Sequence, residues 1–358
     1  MLLVELTIDG TLNRISSVGH ALTNYWDNKI IGFANPVRNT ATNHGGYCEM
    51  KFGNITLNPD LFSSDWPPPL SCAITIKYTA TTQEAAETLL VGTAHRSQVD
   101  RGRIIYSLNA PSYDETVADA TAYNDTLNAV LTTILTGIAE IDTLDTSAAR
   151  AASPNVTHTV SGDQLSIKLA SDIAAFYGHL FYVSGSTAYL VDMLLDNGTQ
   201  TLTEFDYFAR PEYKDSYPIA VARTDNFART SSYPYGTELS VAEFHTTEAN
   251  VNTALDDIIT IENRAKCRVK MPLLGSLPAP GKKISWTDTA LNQNTDAYLR
   301  VRSLRYDLVT EKVELEGEGE LTLTATPTPD ALDPPVFYLL EEGGDDLLTE
   351  DGDRIILE

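Results

Sequence analysis

Positive charge is what this 358-residue chain lacks most: 25 Lys and Arg stand against 49 Asp and Glu, a net charge of −24 at pH 7. Such a surface repels phosphate backbones, so sequence-directed nucleic-acid binding is not expected. Cysteine is scarce too. Cys48, Cys72 and Cys267 are widely spaced and form no CxxC pair. That disfavours a zinc or iron–sulfur site built from this chain alone, and equally a disulfide framework. The three read as buried thiols of a protein made in a reducing cytoplasm. No apolar run reaches the ~18 residues of a membrane span. The opening "MLLVELTIDG" reads as a strand, not a signal peptide.

Catalytic signatures are missing as well. His20, His44, His95, His158, His179 and His245 are scattered, with no HExxH or other metal spacing. There is no GxSxG, no GxxxxGK followed by Ser or Thr, and no GxGxxG. The glycines of "GEGEL" precede no helix and make no phosphate cradle. Asn43-His44-Gly45-Gly46 reads as loop chemistry. No catalytic, cofactor-binding or metal-binding residue is assigned, and the chain is read as non-enzymatic and free of cofactors.

What is present is β structure in two blocks. Apolar residues make up 42%, enough for a core and too many for wholesale disorder. Residues 1–112 alternate between strand and turn signals: "LLVELTIDG", "GYCEMKFGNITLN", "LSCAITIKYTA" after the stiff Trp66–Pro69 connector, and "RGRIIYSLNAP". Short strands at this spacing predict a barrel or sandwich.

Residues 113–215 predict a small α+β module. "NDTLNAVLTTILTGIAEI" places Leu127, Val130, Leu131, Ile134, Leu135 and Ile138 on one helical face, with Asn124 or Asp125 as N-cap. The polar span 142–159 reads as a linker or loop. Next, "SIKLASDIAAFYG" predicts a helix stopped at Gly178. "LFYVSGSTAYLVDM" then predicts two strands joined by the Ser184-Gly185-Ser186 turn. Phe176 and Leu169 are expected to be buried against that hairpin.

Residues 216–325 predict a second barrel around one helix. "YPIAVART" is a strand, and "TEANVNTALDDIITIENRAKCRV" reads as a helix using Val251, Leu255, Ile258 and Ile259, capped by Thr246 or Thr247. Pro280-Gly281 turns into the strand 284–287. A long hairpin, "YLRVRSLRYDLVTEKVELEGEGELTLT", closes the block with its turn near Thr310-Glu311. Residues 326–358 form a separate Pro-containing acidic tail, either a small hairpin or a segment that a partner orders.

In the closing strand, period two puts Glu314, Glu316, Glu318 and Glu320 on one face. The plainest reading is a solvated face; the sharper one is an acidic wall lining a channel. A turn at Thr310-Glu311 places Arg305 opposite Glu316, a pair worth ~0.2–1 kcal/mol.

Three stretches carry a resemblance to the tail hub (baseplate hub) proteins of tailed bacteriophages: "LASDIAAFYGHLFYVSGSTAYLVDM", "KMPLLGSLPAPGKKISWTD" and "RVRSLRYDLVTEKVELEGEGEL". It spans roughly residues 1–325. It implies two tail-tube-like β-barrels plus a peripheral helix–hairpin domain, in a homotrimer whose six barrels adapt a six-fold tail tube to a three-fold tip. The glutamate row would line or adjoin the channel, with DNA only in transit. Implied neighbours are the distal tail protein, the tape measure protein and tip or fibre proteins, and the location is the virion tail tip. Two alternatives stand beside it: a hexameric distal tail ring protein of the same apparatus, and a carbohydrate-active tail-tip enzyme.

Overall fold

The computed structural model describes residues 2–8, 10–16, 29–33, 37–40, 48–62, 66–78, 86–100, 102–109, 113–195, 199–203, 209–214, 218–233, 235–272, 279–287, 298–307, 312–320, 337–338 and 356–357. Two curled half-barrel sheets flank a common core, and an α+β lobe packs beside them. Among the described residues no helix is long and apolar enough to cross a membrane.

The N-terminal strands are β1 (Leu2–Ile8), β2 (Thr11–Ser16), β3 (Ile30–Phe33), β4 (Val37–Thr40), β5 (Cys48–Lys51), β6 (Asn54–Leu57), β7 (Ser71–Tyr78), β8 (Glu87–Val99) and β9 (Ile104–Asn109). Seven of them form the first sheet, in the order β2-β1-β7-β8-β9-β6-β3. The expected alternation is realised physically: on β7, Cys72, Ile74, Ile76 and Tyr78 point inward while Ser71 and Ala73 face water. The Trp66–Pro69 connector is strapped to the sheet. Arg96 donates to the Pro68 carbonyl, and the Tyr106 hydroxyl donates to the Pro69 carbonyl at 2.9 Å.

One strand signal divides. "GYCEMKFGNITLN" reads as a continuous run, yet β5 joins the second sheet and β6 the first. The break falls at Phe52-Gly53, and a lone glycine inside an alternating run marks such a departure.

The lobe holds β10 (Thr116–Val117), β11 (Ala122–Thr126), α1 (Leu127–Leu135), β12 (Thr143–Asp145), β13 (Asn155–Thr159), β14 (Gln164–Leu165), α2 (Ser166–Phe176), β15 (His179–Ser184) and β16 (Thr187–Asp192). The opening of α2 into the β15–β16 hairpin matches expectation, and Leu169 and Phe176 are both 1% exposed. Gly178 sits at φ +74°, and a Cβ there would lie 3.2 Å from Ile261 Cδ1, so the helix ends where only glycine fits both backbone and space. Two local expectations are corrected. The N-cap position of α1 is Thr126, not Asn124 or Asp125. The span 142–159 is not a free loop: β12 pairs with β16, and β13 pairs with β11. Short polar strands like these carry no apolar period to read.

After β17 (Thr199–Thr203) and β18 (Ala209–Lys214), the chain returns to the lobe with β19 (Ile219–Arg223), β20 (Ala228–Thr230), β21 (Thr237–Ser240) and α3 (Glu248–Glu262). Ile219, Ala222, Phe244, Val251, Leu255 and Ile258 lie in the same core as α1 and α2. The packing boundary therefore falls near residue 264, not at 215. Residues 216–263 do not belong to the second barrel, because the apolar stripe of α3 is buried against the lobe. The predicted helix also ends early: "RAKCRV" lies at Arg264 and in the following strand.

The rest comprises β22 (Ala265–Pro272), β23 (Lys283–Thr287), β24 (Tyr298–Asp307), β25 (Lys312–Glu320), β26 (Phe337–Tyr338) and β27 (Ile356–Leu357). The second sheet has eleven strands, with a main order β12-β16-β15-β5-β4-β24-β25-β22-β18; β23 adjoins β24, and β17 adjoins β23. Val269, Met271, Leu299, Val301, Leu304 and Leu315 from this sheet share one core with Leu2, Leu6, Ile74 and Tyr106 of the first. In the tail, β26 pairs antiparallel with β27; the remainder of 326–358 lies outside the described residues, as does the 43–46 loop.

Charge is segregated over this frame. The lobe segments 113–195 and 218–263 carry 4 basic and 17 acidic residues. The remaining stretches, 1–112, 196–217 and 264–325, which contribute every strand of the first sheet and eight of the eleven in the second, carry 20 basic and 22 acidic. The tail from 326 has 1 basic and 10 acidic residues. The net charge thus lies in the lobe and tail segments, while the stretches that supply most sheet strands are nearly neutral.

Candidate functional site

The glutamate row lies on β25, between β22 and β24. Strand β22 supplies what the sequence reading missed. Lys266, Arg268 and Lys270 recur at period two and stand opposite Glu318, Glu316 and Glu314 in register. The row therefore meets a basic row, and opposite charges directly across a ladder attract. Arg268 contacts Glu314 and lies 3.4 Å from Glu316. The signal was present as "AKCRVK", but it was read as the end of a helix.

Arg305 stands opposite Glu314, not Glu316. Asp307 pairs with Lys312, so the connection is two residues longer than a turn at Thr310-Glu311 allows. A shift of two preserves the face, as period-two geometry requires; residues 308–311 lie outside the described set.

A bulge then breaks the equivalence of the four glutamates. Val301 pairs with Gly317 and Ser303 with Glu316, so Arg302 is an extra residue on β24. A Cβ on Gly317 would overlap the Arg300 carbonyl, which explains a glycine in mid-strand. Arg302 contacts Glu318 through Nε and donates from Nη2 to Glu262 Oε1 at 2.9 Å. Lys266 Nζ lies 3.7 Å from the other Glu262 oxygen. Glu262 sits at the end of α3, so the triad Glu262–Arg302–Glu318 ties the lobe to the second sheet. Burial pushes the Glu262 carboxyl above its usual range, against the pull of Arg302 and Lys266.

This corrects the expected bare wall. Glu318 is 1% exposed within its own chain and cannot line a channel. Glu314 is half-buried against Arg268, and Glu316 is exposed. The Glu320 side chain lies outside the described residues.

A second buried polar cluster sits at the lobe edge. Arg150 Nε donates to Asp192 Oδ2 at 2.8 Å, and Nη1 donates to Asp257 Oδ2 at 3.0 Å. His179, opposite Asp192 on the hairpin, lies 2.9 Å through Nδ1 from the Tyr177 carbonyl, and Nε2 lies 3.5 Å from the Arg150 amide. That amide can only donate, so Nε2 accepts and Nδ1–H donates, which defines a neutral ring. Burial, with Arg150 beside it, lowers the His179 pKa from 6.5 to about 4, against the pull of Asp192 and the Tyr177 carbonyl. Between these two values the unfolded chain binds the extra proton. His179 therefore contributes stability that is complete above pH 6.5 and lost as the pH falls toward 4. Burial raises the Asp257 carboxyl, which works in the opposite sense. Asp192 is held below its usual range: burial opposes this, but Arg150 and the Leu194 amide outweigh it, so its loss follows at lower pH. His179→Asn is expected to flatten the fall in the urea midpoint over this window. Equal slopes for both proteins would assign the acid sensitivity elsewhere.

Among the described residues no group of three or more His, Cys, Asp or Glu is placed to hold a metal ion. Cys72 and Cys267 are buried, and burial pushes the Cys72 thiol up to about 11.

No protein-family model matches the chain, and no curated protein matches it in sequence. Solved structures do. The 43 kDa tail protein of prophage MuSo2 from Shewanella oneidensis has a TM-score of 0.54 at 11% identity, over 93% of this chain and 99% of its own. The fold is that of phage tail proteins. The tail protein from Neisseria meningitidis MC58 gives 0.52 at 11% identity over 88% and 96% of the two chains. Prophage tail protein gp18 from Listeria monocytogenes EGD-e gives 0.52 at 10% over 88% and 94%. Coverage this large takes in both half-barrels and most of the lobe. The tail-protein fold is thus kept while nine residues in ten differ, which explains why only patterns of strand, turn and helix were readable.

Proposed function

We propose that this chain is a structural tail-tip hub of a phage particle, a homotrimer in which two half-barrels per chain build a six-unit ring below the tail tube. The observation that carries the reading is the presence of two half-barrel sheets on one core in a single chain of tail-protein fold. The charge distribution supports it. Nearly neutral sheets of neighbouring copies approach without long-range repulsion, whereas the lobes, with 17 acidic residues against 4 basic, repel one another and point outward. Within such a ring we assign Glu316, exposed among the described members of the row, to the channel side, where a carboxylate keeps passing DNA from adhering. Distal tail, tape measure and tip proteins are its neighbours in this scheme, and its role is non-enzymatic.

The test is mass. Light scattering or native mass spectrometry of the assembled protein is expected to give three copies. Six copies per ring would transfer the chain to the distal-tail reading, and a stable monomer at high concentration would sink both.

A further inference from the structure

Between β12 and β13 the chain runs as an irregular segment, residues 146–154, along the free side of the β15–β16 hairpin. Its ends are fixed. Upstream, β12 pairs with β16. Downstream, Ser153 Oγ and the Pro154 carbonyl accept from the Asn128 and Leu127 amides of α1 at 3.1 and 2.7 Å. The middle is held differently. No residue of 146–154 is buried, and Ala148 and Ala149 touch the neighbouring clusters with single methyl groups. The rest of the hold is polar. The Asp192 amide donates to the Ala148 carbonyl at 3.0 Å. Arg150 reaches Asp192 on β16 and Asp257 on α3, and its own amide donates to His179 Nε2 at 3.5 Å. A segment with so few buried apolar contacts opens at low free-energy cost.

We propose that residues 146–152 form an acid-released strap, closed while the His179 ring is neutral and lifted from the hairpin and α3 when that ring takes up a proton. An imidazolium carries N–H on both nitrogens. The new Nε2–H would point at the Arg150 amide, a donor facing a donor, and the ring's charge would stand beside the guanidinium of the same residue. The charged groups around the ring are Arg150 from the strap, Asp192 from β16, opposite in register, and Asp257 from α3, which Arg150 holds. Asp192 attracts the imidazolium, but its two oxygens already serve Arg150 Nε and, at 2.8 Å, the Leu194 amide. Turning it to His179 takes it from Arg150, so both effects loosen the strap. Release wets the ring and returns it toward its ordinary pKa, so opening is linked to proton uptake. With the pKa at 6.5 when open and about 4 when closed, the opening equilibrium rises about tenfold between pH 7.5 and 5.5. Asp257, raised by burial, works in the opposite sense. Opening uncovers the end of β16: β12 pairs only with Thr187, Ala188 and Tyr189, so among the described residues the strap alone guards residues 190–192 of that edge.

Hydrogen exchange of the full chain at pH 7.5 and 5.5, corrected for the intrinsic rate at each pH, tests this. The Arg150 and Asp192 amides are expected to lose protection about tenfold, while Leu131 in the middle of α1 keeps its own. His179→Gln, whose side chain does not ionise, is expected to abolish the loss. An equal loss in His179→Gln, a loss shared by Leu131, or no loss in the native protein overturns the strap. Should His179→Gln fold poorly, fluorohistidine in place of histidine keeps the ring's shape and lowers its basicity. The loss is then expected to vanish over the same window, and its persistence overturns the proposal.

Discussion

Arg302→Ala is expected to destabilise the protein by about 3–5 kcal/mol, the cost of removing one partner from a buried ion pair. Arg302 is 9% exposed, Glu262 4% and Glu318 1%. Without the guanidinium, two carboxylates face each other in a site with little water, and Lys266 reaches only Glu262, at 3.7 Å. The loss should appear as a lower urea midpoint at neutral pH. Removing the charges together has a different result. Glu262→Gln/Arg302→Met/Glu318→Gln removes the three buried charges together, leaves Lys266 as a part-exposed cation, and should recover most of the stability, since buried ion pairs contribute little over apolar residues of matching shape. A loss below about 1 kcal/mol for Arg302→Ala, the level of a surface pair, would mean that water screens the triad.

Phe176→Ala is expected to cost about 3–5 kcal/mol, as for other fully buried rings. Phe176 lies edge-on to Tyr177 at 4.9 Å and to Phe244 at 5.7 Å between ring centroids. It thus joins α2 to the segment leading into α3, and its removal opens a void where the two halves of the lobe meet. Phe176→Leu should lose much less, because the volume is largely kept. If both substitutions left the midpoint unchanged, the lobe would not depend on this contact.

These two sites differ in how far the sequence discloses them. Phe176 was readable because a helix buries residues at fixed spacing, and Leu169, Ile173 and Phe176 follow that spacing up to a glycine stop. The first half-barrel was readable for a related reason, since alternation on β7 and a Gly-containing turn after β1 are local signals. The triad was not. Its members lie on α3, β24 and β25, and they meet only because a bulge turns Arg302 toward the glutamate face. Gly317 was the one local hint, as a residue whose Cβ the ladder has no room for. The basic row on β22 was readable in principle, but its alternating Lys266, Arg268 and Lys270 follow α3 so closely that helical and strand periods overlap. The division of "GYCEMKFGNITLN" between two sheets was set by tertiary pairing, to which local propensity is blind.

Synthesis order gives the shared core a further meaning. Arg38 pairs with Leu304, about 270 residues later in the chain. At ~5–20 residues per second, the first half-barrel, whose last strand ends at Asn109, waits roughly 10–40 s for the strands that complete its interior. During that interval Leu2, Leu6, Ile74 and Tyr106 have no opposing sheet, and β4 has no β24 edge to join. Nascent chains crowded on one message would present these surfaces to one another before either was finished. Slow closure over such sequence distance makes the yield of folded protein depend on chaperone supply and translation rate as well as on final stability.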